Sequence, residues 1–309
     1  MSPVERVKTR EKLVFASIMG PSESEITNAI LFAESIRTFA GSLSKVPIWY
    51  FTPELEKEIS SDVKNHLSRL NVNLITFQLD SEVLEFPFAG QVFAKALAEM
   101  TASSQSNLLA WMNTNSMVLK EPKEFLLEEG KSLGYRPVHH TLVGSRYDEP
   151  LDEFWSLIYE YCKVPEDRVF PMVTHVDGET LRPYFNAGIL VTRPENQLFR
   201  KYRDCFLKVY KKQNLQEFYR QDSRYAIFIH QAVLSGVILS SIPTDELQEF
   251  STDYNYPVHL HSEDVTENRP EGLEDLVTCR HEGFHVDPNW EKNIPAGDHL
   301  KQWIASHLV

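Results

Sequence analysis

Positive charge is scarce in this chain. Thirty-one Lys and Arg face 44 Asp and Glu, a net charge of −13 over 309 residues. A polyanionic backbone is repelled by such a surface, which argues against a nucleic-acid partner. A small anionic ligand remains compatible, because a nest of backbone N–H groups or a few Arg can hold one. Cysteine is also scarce. Cys162, Cys205 and Cys279 are odd in number, widely spaced and form no CxxC, so a disulfide frame is not expected and reduced thiols in a cytoplasmic setting are. No apolar run approaches the ~18 residues that span a bilayer, so no transmembrane segment is expected. The first residues, MSPVERVKTREK, are charged and lack the apolar centre of a secretory signal. The chain has no Asn-X-Ser/Thr site, and no linker, repeat or low-complexity stretch divides it, so one domain over 1–309 is expected.

What is present is an ordinary globular composition, 42% hydrophobic and 24% charged, ample for a buried core. Residues 12–19 (KLVFASIM) form a short apolar run that ends at Gly20-Pro21 and reads as a buried parallel strand. Ser22 stands three residues before Glu25, the spacing of a capping box, and Ile26, Ile30, Ala33 and Ile36 follow at helical intervals. Residues 46–51 (VPIWYF) read as a second strand, and Leu55, Ile59, Val63, Leu67 and Leu70 as a second helix. A third strand over 72–79 (VNLITFQL), a third helix through Phe93, Ala96, Leu97 and Met100, and a fourth strand over 107–111 (NLLAW) complete the series. Such alternation specifies βαβ units. The fold class is therefore α/β, with a mainly parallel central sheet and helices on both faces. Ligands of such sheets sit beyond the carboxyl ends of the strands, so the loops at Gly20-Pro21-Ser22, at Thr52-Pro53 and after Trp111 are the first places to search.

The second half is less regular. Strands are expected over 136–143, 169–176 and 185–192. Helices are expected over 151–161, with Asp152 as N-cap, over 197–212, over 223–234 and from Asp298. The change near residue 120 suggests a nucleotide-binding half over about 12–120 and an acceptor half with a C-terminal extension over about 121–309.

Two stretches carry a family resemblance: 108–122 (LLAWMNTNSMVLKEP), and 184–194 (YFNAGILVTRP) with the His230-Gln231 pair further on. Their order along the chain resembles the GT-A nucleotide-diphospho-sugar glycosyltransferases, above all the glycogenin group called family 8, and Tyr254-Asn255-Tyr256-Pro257 resembles a later segment of that group. The resemblance implies sugar transfer from a nucleoside-diphosphate donor, a UDP- or GDP-sugar, to an acceptor that the sequence does not identify. It also implies a Mn²⁺ or Mg²⁺ ion on two aspartates, bridging the diphosphate.

The sequence departs from the family at that point. Asn113 and Asn115 occupy the two acidic positions, and His230 stands where an Asp would precede Gln231. Amide oxygens hold a hard cation far less well than carboxylates. Either Arg, Lys or His stabilises the leaving diphosphate without a metal, or the domain binds a nucleotide or a glycan without turning it over. Mn²⁺ or Mg²⁺ belongs here only if the amides still suffice.

The resemblance places Asn186 and Gly188 of the FNAG segment at the sugar or acceptor, with Asn186 catalytic. Asp148 is a candidate base for an acceptor hydroxyl, although a solvated loop there is the plainer reading. Ser17, Asn113, Asn115, Arg182, Gly188, His230, Gln231 and His281 are assigned to the nucleotide or sugar. His281-Glu282-Gly283-Phe284-His285 matches HExxH, but Gly283 and the preceding strand-like residues argue against the helix that a zinc site needs. His259-Leu260-His261 sets two rings on one face if it is a strand. Packing is the plainer role for it and for His139-His140.

Overall fold

The computed structural model describes residues 11–54, 59–267, 269–283, 289–292 and 294–307. In chain order the first half runs β1 (Val14–Ile18), α1 (Glu23–Phe39), β2 (Ile48–Pro53), α2 (Ser61–Arg69), β3 (Val72–Phe77), α3 (Ser81–Leu84), α4 (Ala89–Ala102), β4 (Leu109–Met112) and β5 (Ser116–Val118). The second half runs β6 (Leu133–Pro137), α5 (Glu153–Cys162), β7 (Met172–Val173), β8 (Thr180–Leu181), β9 (Phe185–Thr192), α6 (Leu198–Val209), α7 (Gln213–Gln221), α8 (Ser223–Ser241), β10 (Leu247–Glu249), β11 (Tyr256–Pro257), β12 (Thr278–Arg280) and α9 (Asp298–Ser306).

Seven strands form the central sheet in the order β10-β6-β9-β4-β1-β2-β3. The strands β3, β2, β1 and β4 are parallel, as the alternation requires; β9 alone runs against its neighbours β4 and β6, and β10 is parallel to β6. Alternate side chains of β1 explain the layering. Val14 and Ala16 enter the core beneath α4, α5, α6 and α8, whereas Phe15 enters the core beneath α1. A third, smaller cluster packs β5, β11, β12 and α9 together around Met117, Tyr256, Cys279 and Ile304. The chain is thus α/β with helices on both faces of a mostly parallel sheet.

Local signals act where they stand. The Ser22–Glu25 capping box is formed in both directions at the start of α1, and the Asp152 side chain accepts from the Trp155 N–H at 2.9 Å at the start of α5. The strand expected over 136–143 lies earlier. β6 ends at Pro137, after a shift of register between Tyr135 and Pro137, and the chain then turns through Leu142 at φ 46°. Of the strand expected over 169–176 only Met172–Val173 pairs. The short strands β5, β10 and β11 and the helix α7 were not expected, whereas β12 falls in the residues before His281 that read as strand-like. α8 outruns its expected end at 234 because Ile229 to Leu239 is buried all round and offers no amphipathic contrast. Leu55, placed on the second helix, lies outside the described residues. Among the described residues no helix is long and apolar enough to cross a membrane.

Candidate active site

Two clefts open beyond the carboxyl ends of β1 and β4. The larger, about 830 Å³, lies against the first turns of α1 and is lined by Glu23, Thr27, Asn28, Asn115 and Glu282. The smaller, about 260 Å³, is lined by His139, Asn186, Gln231, His259, Arg280 and Glu282. Glu282 borders both, so they adjoin.

Between them the sheet brings three side chains to one point. β4 pairs with β9 through Met112 and Ile189, and the ladder continues one step as the Asn113 N–H donates to the Gly188 carbonyl at 3.0 Å. Asn113 therefore emerges opposite Gly188. Asn186, on the same face of β9, accepts from the Gly188 N–H at 2.8 Å. A Cβ at Gly188 would stand 3.0 Å from Arg280 Nη1, 3.0 Å from Asn186 Oδ1 and 3.2 Å from Asn113 Nδ2. The missing side chain lets these three close in over the strand, where even a Cβ would be tight. Arg280, at the end of β12, is paired with Glu282 through Nε at 2.6 Å. Asn115 stands across the larger cleft; its carbonyl accepts from the His281 N–H at 2.9 Å, and its buried Oδ1 has no hydrogen-bond partner.

A second tier fixes these groups. Gln91 donates to Asn113 Oδ1 at 3.0 Å and accepts from Lys95 Nζ at 2.8 Å. Gln231 accepts from the Ala187 N–H at 2.9 Å, and Ser235 Oγ from the Phe185 N–H at 3.1 Å, so α8 holds the start of β9. His139 lies 3.4 Å from Asn186 Nδ2 and 3.2 Å from Asn255 Nδ2. Burial and the field of Arg280 hold its imidazole well below the usual histidine range.

The expected site residues divide accordingly. Asn113, Asn115, Asn186, Gly188 and Gln231 come together at the clefts or in the wall between them. His281 joins them through its backbone, while its Nδ1 accepts from the Gly283 N–H at 2.9 Å. His230 is buried behind them, its ring stacked on Phe88 at 4.5 Å, and burial lowers its pKa to about 3, so it supplies no positive charge near neutrality. Ser17 is fully buried, with its hydroxyl turned to the Ile18 carbonyl at 3.4 Å. Arg182 and Asp148 are not brought to either cleft. Arg182 donates to the Arg146 and Glu149 carbonyls and borders a separate groove with Tyr159, and Asp148 is exposed on the same loop. The HExxH match holds no helix over its described part: Glu282 and Gly283 have φ of 45° and 77°, and His285 lies outside the described residues. The segment His259-Leu260-His261 is a 3₁₀ turn rather than a strand. His259 lines the smaller cleft, and His261 turns away to accept or donate at the Tyr256 hydroxyl, 2.9 Å distant.

Sequence reasoning passed over Arg280, Lys95 and Gln91, and it gave His139 a packing role, whereas His139 lines the smaller cleft. Lys95 and Glu99 are spaced like an exposed helical ion pair, yet both are fully buried, and Glu99 instead caps α6 at the Phe199 and Arg200 N–H groups. Arg280 is a single basic residue in an apolar run beside His281, a weak but legible signal.

A family profile described as a Rhodobacterales glycosyltransferase domain matches residues 18–240. No curated protein matches the sequence. Among solved structures, the galactosyltransferase LgtC in complex with donor and acceptor sugar analogues is similar at 13% identity and a TM-score of 0.53, covering 96% of each chain. Mouse xyloside xylosyltransferase 1 is similar at 12% identity and a TM-score of 0.50, over 89% of this chain and 98% of its own. At these identities the likeness shows the fold, which is that of the GT-A glycosyltransferases.

Proposed function

Because the chain belongs to the Rhodobacterales glycosyltransferase domain family, we propose that it transfers a hexosyl group from a UDP- or GDP-sugar to an acceptor hydroxyl, with Arg280 in the place of a metal ion. The observation that carries this reading is the convergence of Arg280 Nη1, Asn113 Nδ2 and Asn186 Oδ1 over Gly188, in the wall between the two clefts. In this reading the nucleoside lies along α1 in the larger cleft, the diphosphate meets Arg280, and the sugar and acceptor occupy the smaller cleft beside Asn186 and Gln231. Residues 12–120 then serve mainly the nucleotide and the later residues the acceptor.

The residues fit a divalent cation poorly. Asn113 Oδ1 is already taken by Gln91, and a guanidinium stands where a second positive charge is repelled. The chemistry assigned to the chain is therefore direct. As the bond from the sugar carbon to the diphosphate oxygen breaks, negative charge grows on that oxygen. A guanidinium already in place stabilises it through charge-assisted hydrogen bonds. Asn186, locked by the Gly188 N–H, orients the sugar. A nucleotide- or glycan-binding module without turnover is the alternative, and release of the nucleoside diphosphate separates the two.

Calorimetry with UDP- and GDP-sugars in EDTA and in Mn²⁺, coupled to release of the nucleoside diphosphate, tests the proposal. Binding and release in EDTA are expected. Binding that requires Mn²⁺ refutes the metal-free reading, and binding to neither donor under either condition refutes the function.

A further inference from the structure

An asparagine amide looks alike at both ends, so the end it turns toward a ligand is settled by its partners. At Asn113 the deciding group is Lys95. An ammonium has three donors and no acceptor. Lys95 Nζ donates to Gln91 Oε1 at 2.8 Å, which leaves the Gln91 amide N–H to donate to Asn113 Oδ1 at 3.0 Å. The acceptor end of Asn113 is consumed, and Nδ2 is the end left toward Gly188, beside Arg280 Nη1. The direction of the whole relay is set at its inner end, where Lys95 Nζ donates.

Lys95 is fully buried, and among the described residues no carboxylate lies within 4.0 Å of its nitrogen. Glu99, one turn along α4, is committed to Arg200 and to the start of α6. The face of Trp111, 4.5 Å from Nζ, is its other contact. Burial first, and then the field of Arg280, push the lysine well below its usual range, so its nitrogen acts there as a donor to Gln91 and not as a free charge. What faces Gly188 is two donors, Asn113 Nδ2 and Arg280 Nη1, an arrangement that suits an anionic oxygen.

We infer that Lys95 and Gln91 are positioning residues that hold Asn113 as a hydrogen-bond donor, so that Asn113 Nδ2, with Arg280 Nη1, forms a direct site for the diphosphate of the donor. The inference rests on the nucleotide-sugar reading of the clefts and goes beyond it by specifying which atoms meet the phosphate oxygens. It also assigns Lys95 a role exerted through Gln91 rather than by contact.

Gln91→Glu tests it. A carboxylate at that position can only accept. Lys95 takes one oxygen, and the other draws Asn113 Nδ2 inward and turns Oδ1 outward, so the site presents an acceptor. Lys95→Met, which keeps the packing on Trp111 and removes the donor at the inner end, is the second variant. Titrations with UDP and with inorganic pyrophosphate, each in EDTA and in Mn²⁺, supply the readout. The wild type is expected to bind both probes in EDTA with no gain from Mn²⁺. Both variants are expected to bind at least ~10-fold more weakly in EDTA, the loss of one charge-linked hydrogen bond. Gln91→Glu alone is expected to recover affinity in Mn²⁺, a change of sign that damaged packing cannot produce. If the wild type binds in EDTA and both variants match it, indifferent to Mn²⁺, the relay is refuted and the functional reading stands. If the wild type binds neither probe, both fall. Gln91→Glu preserves side-chain shape, so its result decides the matter even if Lys95→Met does not fold.

Discussion

Acidification should unfold this protein well before its carboxylates are protonated. Burial lowers the pKa of His175 and of His230 to about 3, from an unfolded value of 6.5. Arg136 adds to the effect at His175, where it donates to Nδ1 at 3.1 Å, and Lys95 adds to it at His230. The folded pKa lies below the unfolded one, so the unfolded chain takes up protons that the folded chain refuses. The stability held by the neutral rings is complete above pH ~6.5 and is lost as the pH falls toward about 3. Between pH 7 and pH 5 each ring costs about 2 kcal/mol. The two rings share no hydrogen-bond partner, so their costs add, to about 4 kcal/mol. That is a large part of the ~5–15 kcal/mol that holds a typical domain together. Urea unfolding followed by tryptophan fluorescence at pH 7, 6 and 5 measures it. In His230→Gln the fall in stability across that interval should shrink by about 2 kcal/mol, whatever the variant costs at pH 7. Equal falls in the variant and the wild type would show that the His230 ring is not held neutral by its surroundings.

Arg280→Met should weaken UDP binding in EDTA by roughly 10–100-fold, the worth of a hydrogen bond to a charged group, with little change in melting temperature. Gly188→Ala should leave stability within about 1 kcal/mol, because the new methyl meets only side-chain ends, yet it should abolish UDP binding by pushing Arg280, Asn186 and Asn113 out of their arrangement. Gly134→Ala acts in the opposite way. Its methyl would lie 2.2 Å from the Phe250 ring, so it should cost about 1–3 kcal/mol in urea unfolding and leave binding per folded molecule unchanged. Ser22→Ala removes the cap of α1 and should cost about 1 kcal/mol by the same measurement.

The first half of the fold was legible because each element there carries its own period and its own stop. Apolar runs at β1, β2 and β3 alternate with capped amphipathic helices, and neighbours in sequence become neighbours in the sheet. The second half was not, because its elements depend on distant partners. β5 and β12 are three residues each and gain their pairing from one another across the chain, and β11 is two. Only β12 has a local pattern, the β-branched residues before Arg280; nothing in the sequence announces β5 or β11. The site divides in the same way. Asn113, Asn115 and Asn186 are found from motif order, since β4 and β9 carry them. Arg280 reaches the cleft only because β12 docks on β5, and Lys95 turns inward only because α6 and the sheet enclose α4. Burial against a remote surface overrides a helical spacing that reads as solvent-facing.

The reversed direction of β9 has one more effect. A strand that ran with its neighbours would deliver Asn186 to the far edge of the sheet, about the length of the strand from Asn113. Running backward, β9 begins where β4 stops, and two polar amides distant in sequence are set side by side by ladder hydrogen bonds alone. Their alignment is inherited from the pairing and needs no loop to hold it. A slip of one residue would present Ala187 in their place, so the precision of the cleft and the integrity of the sheet are a single property.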